Sequence, residues 1–362
     1  MSDVRHSPQP TVSVVIVSYQ HDRHLPACLA TLHHATGLHD AAVEVILVNN
    51  SAAEHPEPRT MRLAQHYPQL CYVASPCNLG FADGCNLGAQ HARGQYLVFL
   101  NPDTLVAGGW LPALLAPLVN QPDAIGSTTA RLLLAADPQR INACGNDLHL
   151  TGLTLCRGLG KPATTWMRPH LVSAVSGAAC AIRRDLFLRL GGFDGQFFTY
   201  MEDTDLSLRV RLAGYQCVCV PAATVYHDYT LRFGPRKTYY QERNRALLLL
   251  KHLHWRTLLI LAPALLLAEI VVWGFVLLRE PQRWANKLRA YAWLVRHYPY
   301  IRTARRHSAA LRRVPDATIV ARHPCRLDLR QTGDTLPIRL AERLLNPCFC
   351  VWQRLTLRLL KW

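Results

Sequence analysis

The sequence predicts an α/β fold with a mostly parallel sheet flanked by helices, followed by a helical and strongly basic C-terminal region. Apolar runs rich in β-branched residues, such as Val12–Ser18 and Val43–Val48, are typical of strands buried on both faces. Segments with helical patterning alternate with these runs up to about residue 245. Half of the 362 residues are hydrophobic. The chain can therefore build one large core and a smaller appendage.

Strands that alternate with helices predict parallel pairing and right-handed crossovers. Residues 120–170 are less regular and rich in Gly, Thr and Pro, which predicts hairpin and loop structure. The predicted elements are, in chain order, strand Val12–Ser18, helix Leu25–His33, strand Val43–Val48, helix Arg59–His66, strand Cys71–Ala74, helix Gly84–Gln90, strand Tyr96–Leu100, helix Ala181–Leu190, helix Asp205–Ala213 and strand Gln216–Val220.

The ends of the predicted strands carry candidate binding residues. Tyr19, Asn49 and Asp103 each follow a strand, and ligands of open parallel sheets bind beyond the carboxyl ends of the strands. Asn78 and Gly80 mark a turn into a helix, where backbone N–H groups are expected to meet a nucleotide. The Gly-x-Gly-x-x-Gly pattern is absent, so this turn is no dinucleotide fingerprint.

Charge divides the chain into two parts. Residues 1–230 contain 15 Lys and Arg against 17 Asp and Glu, whereas residues 231–362 contain 25 against 7. Such asymmetry indicates a polyanionic partner for the basic part, and nucleic acid and an anionic membrane face are the two candidates.

The cysteine pattern and the polar segment Met1–Pro10 favour a reducing, cytosolic compartment. The twelve cysteines show no framework spacing, and no secretory signal pattern precedes the first strand. Cys217-x-Cys219 and Cys348-x-Cys350 have the spacing of metal pairs. Cys217 and Cys219 alternate along a predicted strand, however, and no matching His/Cys pair accompanies them. We therefore expect buried, free thiols.

Three segments carry residues suited to metal and acid–base chemistry. Asp103 follows Asn101 and a proline at a strand end, Glu202 and Asp203 begin a helix, and His227 ends an apolar strand. Ligands on separate strand ends and a free carboxylate suit a divalent metal that neutralises a leaving diphosphate, with a base for an acceptor alcohol. Simpler interpretations are a turn sequence at Asp103, a core histidine, and carboxylates that favour the helix dipole.

These segments resemble family 2 glycosyltransferases of the GT-A fold, in particular the bacterial rhamnosyltransferase-like group. The matching segments occur in the expected order over about the first 245 residues. They are Val12–Tyr19, Val43–Ser51, Asn78–Phe81, Asn86–Gly88, Leu97–Thr104, Ser176–Arg184, Gly191–Asp194, Glu202–Leu206, Gly214 and Pro221–His227.

The resemblance implies a division of the chain. Residues 1–245 are expected to form the GT-A catalytic domain, with a nucleotide-binding half at about 1–104 and an acceptor and catalytic half at about 105–245. Residues 246–362 are expected to form a helical, membrane-associated region.

The resemblance also implies roles for the site residues. Asp103 and His227 would ligate a divalent metal, Mn²⁺ or Mg²⁺, because such ions favour hard oxygen ligands. Asn101 would orient a ribose or a ligand water. Asp203 would be the general base of a single-displacement, inverting reaction, with Glu202 in support.

Further roles concern the donor and the acceptor. Tyr19 would border the donor base, and Asn49 stands where the family usually has Asp, which leaves the donor's identity open. Gly177 and Ala178 would let the acceptor approach the backbone closely. Arg243 would clamp the diphosphate, or else lie on a solvated helix face.

The segment Thr257–Leu278 is apolar and long enough to cross a bilayer. Glu269 near its centre, an internal proline, and the 18 basic against 5 acidic residues of 279–362 argue against a single crossing. A re-entrant or interfacial segment is favoured. Amphipathic helices around Trp284 and Trp352 on anionic lipid fit this arrangement, and docking of their apolar faces onto the catalytic domain is the alternative.

The sequence thus predicts a metal-dependent inverting glycosyltransferase at the cytoplasmic face of the inner membrane. It would move a sugar, with rhamnose as one candidate, from a nucleotide-diphosphate donor to a lipid-linked or cell-surface glycan, with no nucleic acid as partner. The alternatives are a UDP-hexose transferase with another acceptor, and a catalytically silent membrane-bound protein that binds sugar nucleotides or nucleic acid.

Overall fold

The computed structural model describes residues 11–19, 23–36, 42–51, 62–63, 65, 67, 70–229, 235–279, 281–333 and 335–360. The predicted helix Arg59–His66 lies largely outside these residues. The strands are β1 Val12–Ser18, β2 Val43–Asn49, β3 Leu70–Ala74, β4 Tyr96–Leu100, β5 Thr104–Val106, β6 Ile125–Leu134, β7 Asp137–Ala143, β8 Asn146–Leu148, β9 Thr154–Cys156, β10 His170–Val172, β11 Ala179–Arg183 and β12 Gln216–His227. The helices are α1 Leu25–Thr36, α2 Gly80–His91, α3 Trp110–Asn120, α4 Arg184–Arg189, α5 Glu202–Leu212, α6 Pro235–His252, α7 Trp255–Arg279, α8 Trp284–Arg296, α9 Tyr298–Leu311, α10 Asp316–Ala321 and α11 Leu336–Leu359.

One large mixed sheet forms the centre of the fold. Its strand order is β10-β12-β6-β11-β4-β1-β2-β3, with β5 paired to β12 and β7 paired to β6. β1 lies between β2 and β4 and runs parallel to both, while β11 runs antiparallel between β4 and β6. The predicted fold class, α/β with a mostly parallel sheet and a helical C-terminal region, is confirmed.

β1 shows why the sequence forms a central strand. Val14 and Ile16 face one core cluster, and Val15 and Val17 face the other, so successive side chains are buried on opposite faces of the sheet. Full burial of each such side chain contributes about 1.5–3 kcal/mol.

Two predicted elements differ from the structure. The predicted helix Ala181–Leu190 begins as strand β11, whose alanine and cysteine residues pair with β4, and only its second part is the short helix α4. The predicted strand Gln216–Val220 continues to His227 as β12. Its register shifts between Val220 and Thr224, and such an irregularity accommodates the proline at position 221.

Buried ion pairs hold the C-terminal helices together. Glu269 on α7 binds Arg245 of α6 at 2.5 Å and Lys287 of α8 at 2.6 Å, and Arg245 lies 3.2 Å from Glu242. The amphipathic helix expected around Trp284 would place Lys287 on its polar face, but Lys287 is fully buried, so this part of the expectation is wrong. The predicted domain boundary at residue 245 falls inside the continuous helix α6, and the division itself stays a prediction.

Helices α7 and α11 expose many apolar side chains. Within the described residues, Trp255–Gly274 of α7 is long and apolar enough to cross a bilayer, and 28% of its most apolar window is buried inside the protein. Trp352 of α11 does not face outward, because its Nε1 donates to the Ile260 carbonyl of α7 at 2.8 Å. The exposed apolar residues of α7 and α11 are Trp255, Leu259, Leu266, Ile270, Leu277, Leu336, Leu340, Leu344, Val351, Leu355 and Leu359.

The cysteines correct one expectation. Cys325 and Cys350 are joined by a disulfide, with Cα atoms 4.8 Å apart, so the prediction of free thiols is wrong for this pair. The other ten cysteines are free. Cys217 and Cys219 are buried on β12, in agreement with the structural role expected for them.

Candidate functional site

Pairing of β5 with β12 brings the two predicted metal ligands together. His227 lies opposite Thr104 in the antiparallel register, and the Asp228 N–H donates to the Asp103 carbonyl at 3.0 Å. The side chains then meet with His227 Nε2 3.3 Å from Asp103 Oδ1. The backbone of two strands therefore fixes this pair.

A third residue sets the tautomer of His227. Its Nδ1 lies 2.9 Å from Asn142 Oδ1, and a carbonyl oxygen can only accept, so Nδ1 carries the proton. The lone pair of Nε2 then faces Asp103. Metal-binding histidines are commonly oriented in this way by a hydrogen bond at the other ring nitrogen.

The donor set fits a divalent ion that also takes ligands from a substrate. An imidazole nitrogen and a carboxylate oxygen 3.3 Å apart match two neighbouring ligands at about 2.0–2.2 Å from one metal. In the part of the chain that the structure describes, no group of three His, Cys, Asp or Glu side chains gathers. Asp103 and His227 would therefore supply two positions and leave the others to phosphate oxygens and water.

Two buried polar atoms belong to residues next to this pair, in sequence for Asn101 and by a hydrogen bond for Asn142. Among the described residues, Asn101 Oδ1 and Asn142 Nδ2 have no hydrogen-bond partner. A buried unsatisfied polar group costs about 1–3 kcal/mol, and such groups persist where something else completes them. Asn101 therefore remains suited to a ribose or to a ligand water.

Asp203 lies at the start of α5 and is held by four hydrogen bonds. Its Oδ2 accepts from the Gly177 N–H at 2.8 Å and from Asn146 Nδ2 at 3.1 Å. Its Oδ1 accepts from the N–H of Thr204 at 2.6 Å and from the Thr204 hydroxyl at 3.1 Å. The neighbouring Ala178 carbonyl accepts from the Asn101 N–H at 2.9 Å. A short backbone path thus joins Asp203 to the segment that carries Asp103.

Glu202 and Asp203 have different environments. Burial raises the pKa of Glu202 to about 8, and the charge of Asp203 adds to this rise. Burial also raises the pKa of Asp203, but its hydrogen bonds favour the ionised form and oppose the rise. Because donors gather on Asp203, we assign the charge to Asp203 and the proton to Glu202 near neutral pH. Such a split is the usual arrangement for two carboxyl groups with separate roles.

The third acid of the helix start has a structural function. Asp205 is fully buried and binds Arg209 at 2.7 Å, Lys251 at 2.7 Å and His252 at 2.7 Å. Despite the cost of desolvation, these partners hold the pKa of Asp205 well below its usual range. Because Lys251 and His252 belong to α6, this cluster fixes helix α5 to the C-terminal region.

The predicted donor residues lie along one edge of the sheet. Ser18 pairs with Asn49 in the register of β1 and β2, and Tyr19 follows there, half-buried. The Asn49 side chain is used within the protein: its Oδ1 accepts from the Ser51 N–H at 3.0 Å, and its Nδ2 donates to the Tyr72 hydroxyl at 2.9 Å. A contact from Asn49 to a donor base would have to replace one of these bonds.

The turn before α2 is also filled by protein contacts. The Gly80 N–H donates to Asn78 Oδ1 at 2.9 Å, and the N–H groups of Phe81 and Ala82 donate to the Phe198 carbonyl at 2.6 and 3.2 Å. The expectation that backbone N–H groups of this turn meet the nucleotide stays a prediction, and such a contact would have to replace one of these bonds. Gly80 has φ +73°, and a Cβ there would lie 2.4 Å from the Phe198 oxygen. Only glycine permits this approach.

The Arg243 side chain is used within the protein. It is buried, and its guanidinium donates to the carbonyls of Gln196 and Phe197, at 2.5 and 2.9 Å, and to Asn244 Oδ1. Its guanidinium carbon also lies 4.6 Å from the centre of the Trp293 ring. These contacts correct both expectations for Arg243, the diphosphate clamp and the solvated helix face. The residue positions the loop that precedes Glu202.

The sequence analysis did not identify three asparagines of the site. Asn142 and Asn146 orient His227 and Asp203, and Asn50 ties β2 to the glycine turn by accepting from the Leu79 N–H at 3.0 Å. Asn142 and Asn146 lie four residues apart in a segment interpreted only as hairpin and loop. In this segment the asparagines lie beside apolar residues, which indicates burial. Because buried amides need hydrogen-bond partners, this pattern could have identified them as residues that orient other side chains.

Comparison with known proteins gives two family matches. The model of glycosyl transferase family 2 matches residues 13–141, and that of glycosyl transferase family group 2 matches residues 150–305. One relative is the N-acetylglucosaminyl-diphospho-decaprenol L-rhamnosyltransferase of Mycobacterium tuberculosis. It is 28% identical to this chain over 247 residues, and the alignment covers 59% of this chain and 75% of that protein. Rhamnosyltransferase WbbL of Escherichia coli is 23% identical, with 60% and 83% covered.

Solved structures support the same fold. GalNAc-T7 with UDP, GalNAc and Mn²⁺ aligns with a TM-score of 0.56 at 21% identity, covering 68% of this chain and 49% of that chain. TarS 1–349 of S. aureus in complex with UDP-GlcNAc aligns with a TM-score of 0.54 at 13% identity, covering 95% and 90%. At such identities the likeness shows the fold alone. From the two family matches, the rhamnosyltransferase relatives and this fold, the chain belongs to the family 2 glycosyltransferases, in their rhamnosyltransferase-like group.

Proposed function

We propose that this glycosyltransferase depends on a divalent metal and transfers a sugar, rhamnose in the first instance, from a nucleotide-diphosphate donor to a lipid-linked glycan. The observation that carries the proposal is the arrangement of Asp103, His227 and Asp203. The first two meet at 3.3 Å, and Asp203 is joined to them through the backbone of Gly177 and Ala178. Rhamnose and the lipid-linked acceptor are supported by the mycobacterial relative, whose name includes both.

The chemistry follows from the roles of these side chains. Asp103 and His227 would hold the metal, which when bound supplies positive charge against the leaving diphosphate. Asp203 accepts the proton of the acceptor hydroxyl while that oxygen bonds to the anomeric carbon and the bond to the diphosphate breaks. Glu202, in its protonated form, adds no second charge beside the base. A single displacement of this kind inverts the anomeric configuration.

We further propose that the protein works on the cytoplasmic face of an anionic membrane. The exposed leucines of α7 and α11 form an apolar surface, and residues 279–362 carry 18 basic against 5 acidic side chains. Apolar surface and basic charge together are what interfacial helices use to bind anionic lipid. Glu269 on the inner side of α7 is held by Arg245 and Lys287, which favours a helix lying against the protein over an isolated crossing.

The test is a panel of nucleotide sugars with Mn²⁺ or Mg²⁺, scored by metal-dependent thermal stabilisation and by sugar transfer to a lipid-linked N-acetylglucosamine acceptor. A nucleotide-diphosphate rhamnose is expected to give the largest stabilisation and transfer, and EDTA is expected to abolish transfer. Asp103→Asn should lose the metal response, whereas Asp185→Asn is a matched control, because Asp185 lies in the first turn of helix α4 and its side chain is 66% exposed. Stabilisation without transfer to any acceptor would instead indicate a binding protein.

A further inference from the structure

A large apolar cavity lies between the segment 152–156 and the C-terminal helices, with Met201 and Tyr229 also on its wall. Its volume is about 700 Å³, within the range of small-molecule sites. Its wall comes from β9, α6, α7 and α11, and the α7 and α11 part includes Val271, Val272, Gly274, Val276 and Ile338. Neither the metal pair nor Asp203 lines it, so the transfer chemistry described above does not account for it.

One side of the cavity borders the catalytic residues. Met201, which directly precedes Glu202, lines it, and so does Tyr229, two residues after His227. Lys237 adds a cation on this side, with its Nζ 5.5 Å from the centre of the Tyr200 ring of the catalytic loop.

The other walls belong to helices with apolar outer faces. Leu266, Ile270 and Leu277 of α7 and Leu340 of α11 are each more than half exposed on the same helices that line the cavity. An apolar interior behind a surface suited to lipid accommodates a hydrocarbon chain better than a sugar, because burial of apolar area supplies the affinity.

We propose that this cavity binds the proximal isoprenoid part of a polyprenyl diphosphate carrier, with the diphosphate near Lys237 and the glycan directed toward Asp203. The inference rests on the proposed function, since it assigns a place to the lipid of the lipid-linked acceptor. The chemistry of the wall supports it: Lys237 is a cation beside Tyr229, and an ammonium group attracts a diphosphate. Glu242 and Arg245 on the same wall pair with each other at 3.2 Å.

Gly274 offers a direct test. A Cβ built there meets nothing within 4 Å, so a larger side chain enters open space. Gly274→Leu should keep the fold, because leucine favours a helix more than glycine does. Gly274→Ala is the control at the same position, and Gly108→Leu places the same side chain in open space at an exposed residue that does not line the cavity.

The probe is geranylgeranyl diphosphate, measured by equilibrium binding to the full chain, with inorganic pyrophosphate and a short-chain phosphatidylglycerol as comparisons. Wild type, Gly274→Ala and Gly108→Leu should bind geranylgeranyl diphosphate with similar affinity. Gly274→Leu should bind it roughly tenfold or more weakly, because the leucine fills cavity space that an apolar group of the probe of similar size would otherwise occupy. Pyrophosphate should bind the wild type and Gly274→Leu equally. Equal binding of geranylgeranyl diphosphate to all four proteins, or stronger binding of the phosphatidylglycerol, would overturn the inference.

Donor turnover by the wild type separates this inference from the proposed function. Turnover without binding of the probe would refute the isoprenoid site and leave the glycosyltransferase intact. Gly274-sensitive binding of the probe without turnover of any donor would support the site and refute the proposed transfer.

Discussion

Replacement of Glu202 by glutamine is expected to change how the stability of the protein depends on pH. Glu202 is 6% exposed, and its Oε2 has no hydrogen-bond partner among the described residues. Burial, followed by the charge of Asp203, raises its pKa to about 8 from an ordinary value of 4.5. The folded protein therefore keeps a proton that the unfolded chain releases at lower pH.

The direction and size of the effect follow from this difference. Stability from Glu202 is fully present below pH 4.5, falls as the pH rises through the window to about 8, and is constant above it. At 1.36 kcal/mol per pH unit the whole fall is at most about 5 kcal/mol, and coupling to Asp203 makes a smaller value of a few kcal/mol the expectation. Glu202→Gln cannot ionise, so this fall should disappear.

The assay is urea unfolding followed by tryptophan fluorescence between pH 5 and pH 8.5, without metal or donor. The free energy of unfolding of Glu202→Gln, relative to wild type, should rise by roughly 2–5 kcal/mol across this range. Asp185→Asn, which removes an exposed carboxyl group, serves as the control. Parallel curves for wild type and Glu202→Gln would refute the assignment of the proton to Glu202.

Three further changes test separate parts of the structure. Asn142→Ala removes the acceptor for His227 Nδ1, and by analogy with other such partners it should weaken Mn²⁺ binding about 10–100-fold in calorimetry; unchanged affinity would exclude this orienting role. Gly80→Ala places a Cβ 2.4 Å from the Phe198 oxygen at a φ of +73°, and a loss of about 1–3 kcal/mol or more in unfolding experiments is expected; a loss near zero would mean that the loop adapts freely. Leu340→Asp should reduce sedimentation with anionic vesicles by severalfold at unchanged stability, and undiminished binding would show that this face of α11 does not contact lipid.

The sequence predicted those parts of the site that depend on strand ends. Asp103 and His227 each follow or end an apolar run, and parallel and antiparallel pairing in one sheet then brings them together. Arg243 illustrates what sequence could not supply. From sequence, Arg243 could bind a diphosphate, lie on a solvated helix face or support a loop from inside the protein. Its hydrogen bonds to carbonyls of the loop around Phe197, which is distant in sequence, distinguish these possibilities.

The same limit applies to Glu269 and to β11. The charge of Glu269 indicated that the helix does not cross a membrane. Its ion-pair partners Arg245 and Lys287 lie on two other helices, so the local sequence pattern could not predict them. The run Ala179–Arg183 is short and apolar, a pattern that fits a strand and a helix equally well, and pairing with β4 selects the strand. Long-range contacts, rather than local propensity, determined these outcomes.

The most direct test of the catalytic arrangement compares wild type with Asp203→Asn. The measurement is the release of nucleoside diphosphate from the preferred donor in the presence of Mn²⁺ and acceptor. The variant keeps the shape of the side chain and loses the basic oxygen, so turnover should fall about 10²–10⁴-fold while donor binding stays within a few-fold of wild type. Turnover by Asp203→Asn within a few-fold of wild type would contradict the role of Asp203 as the base.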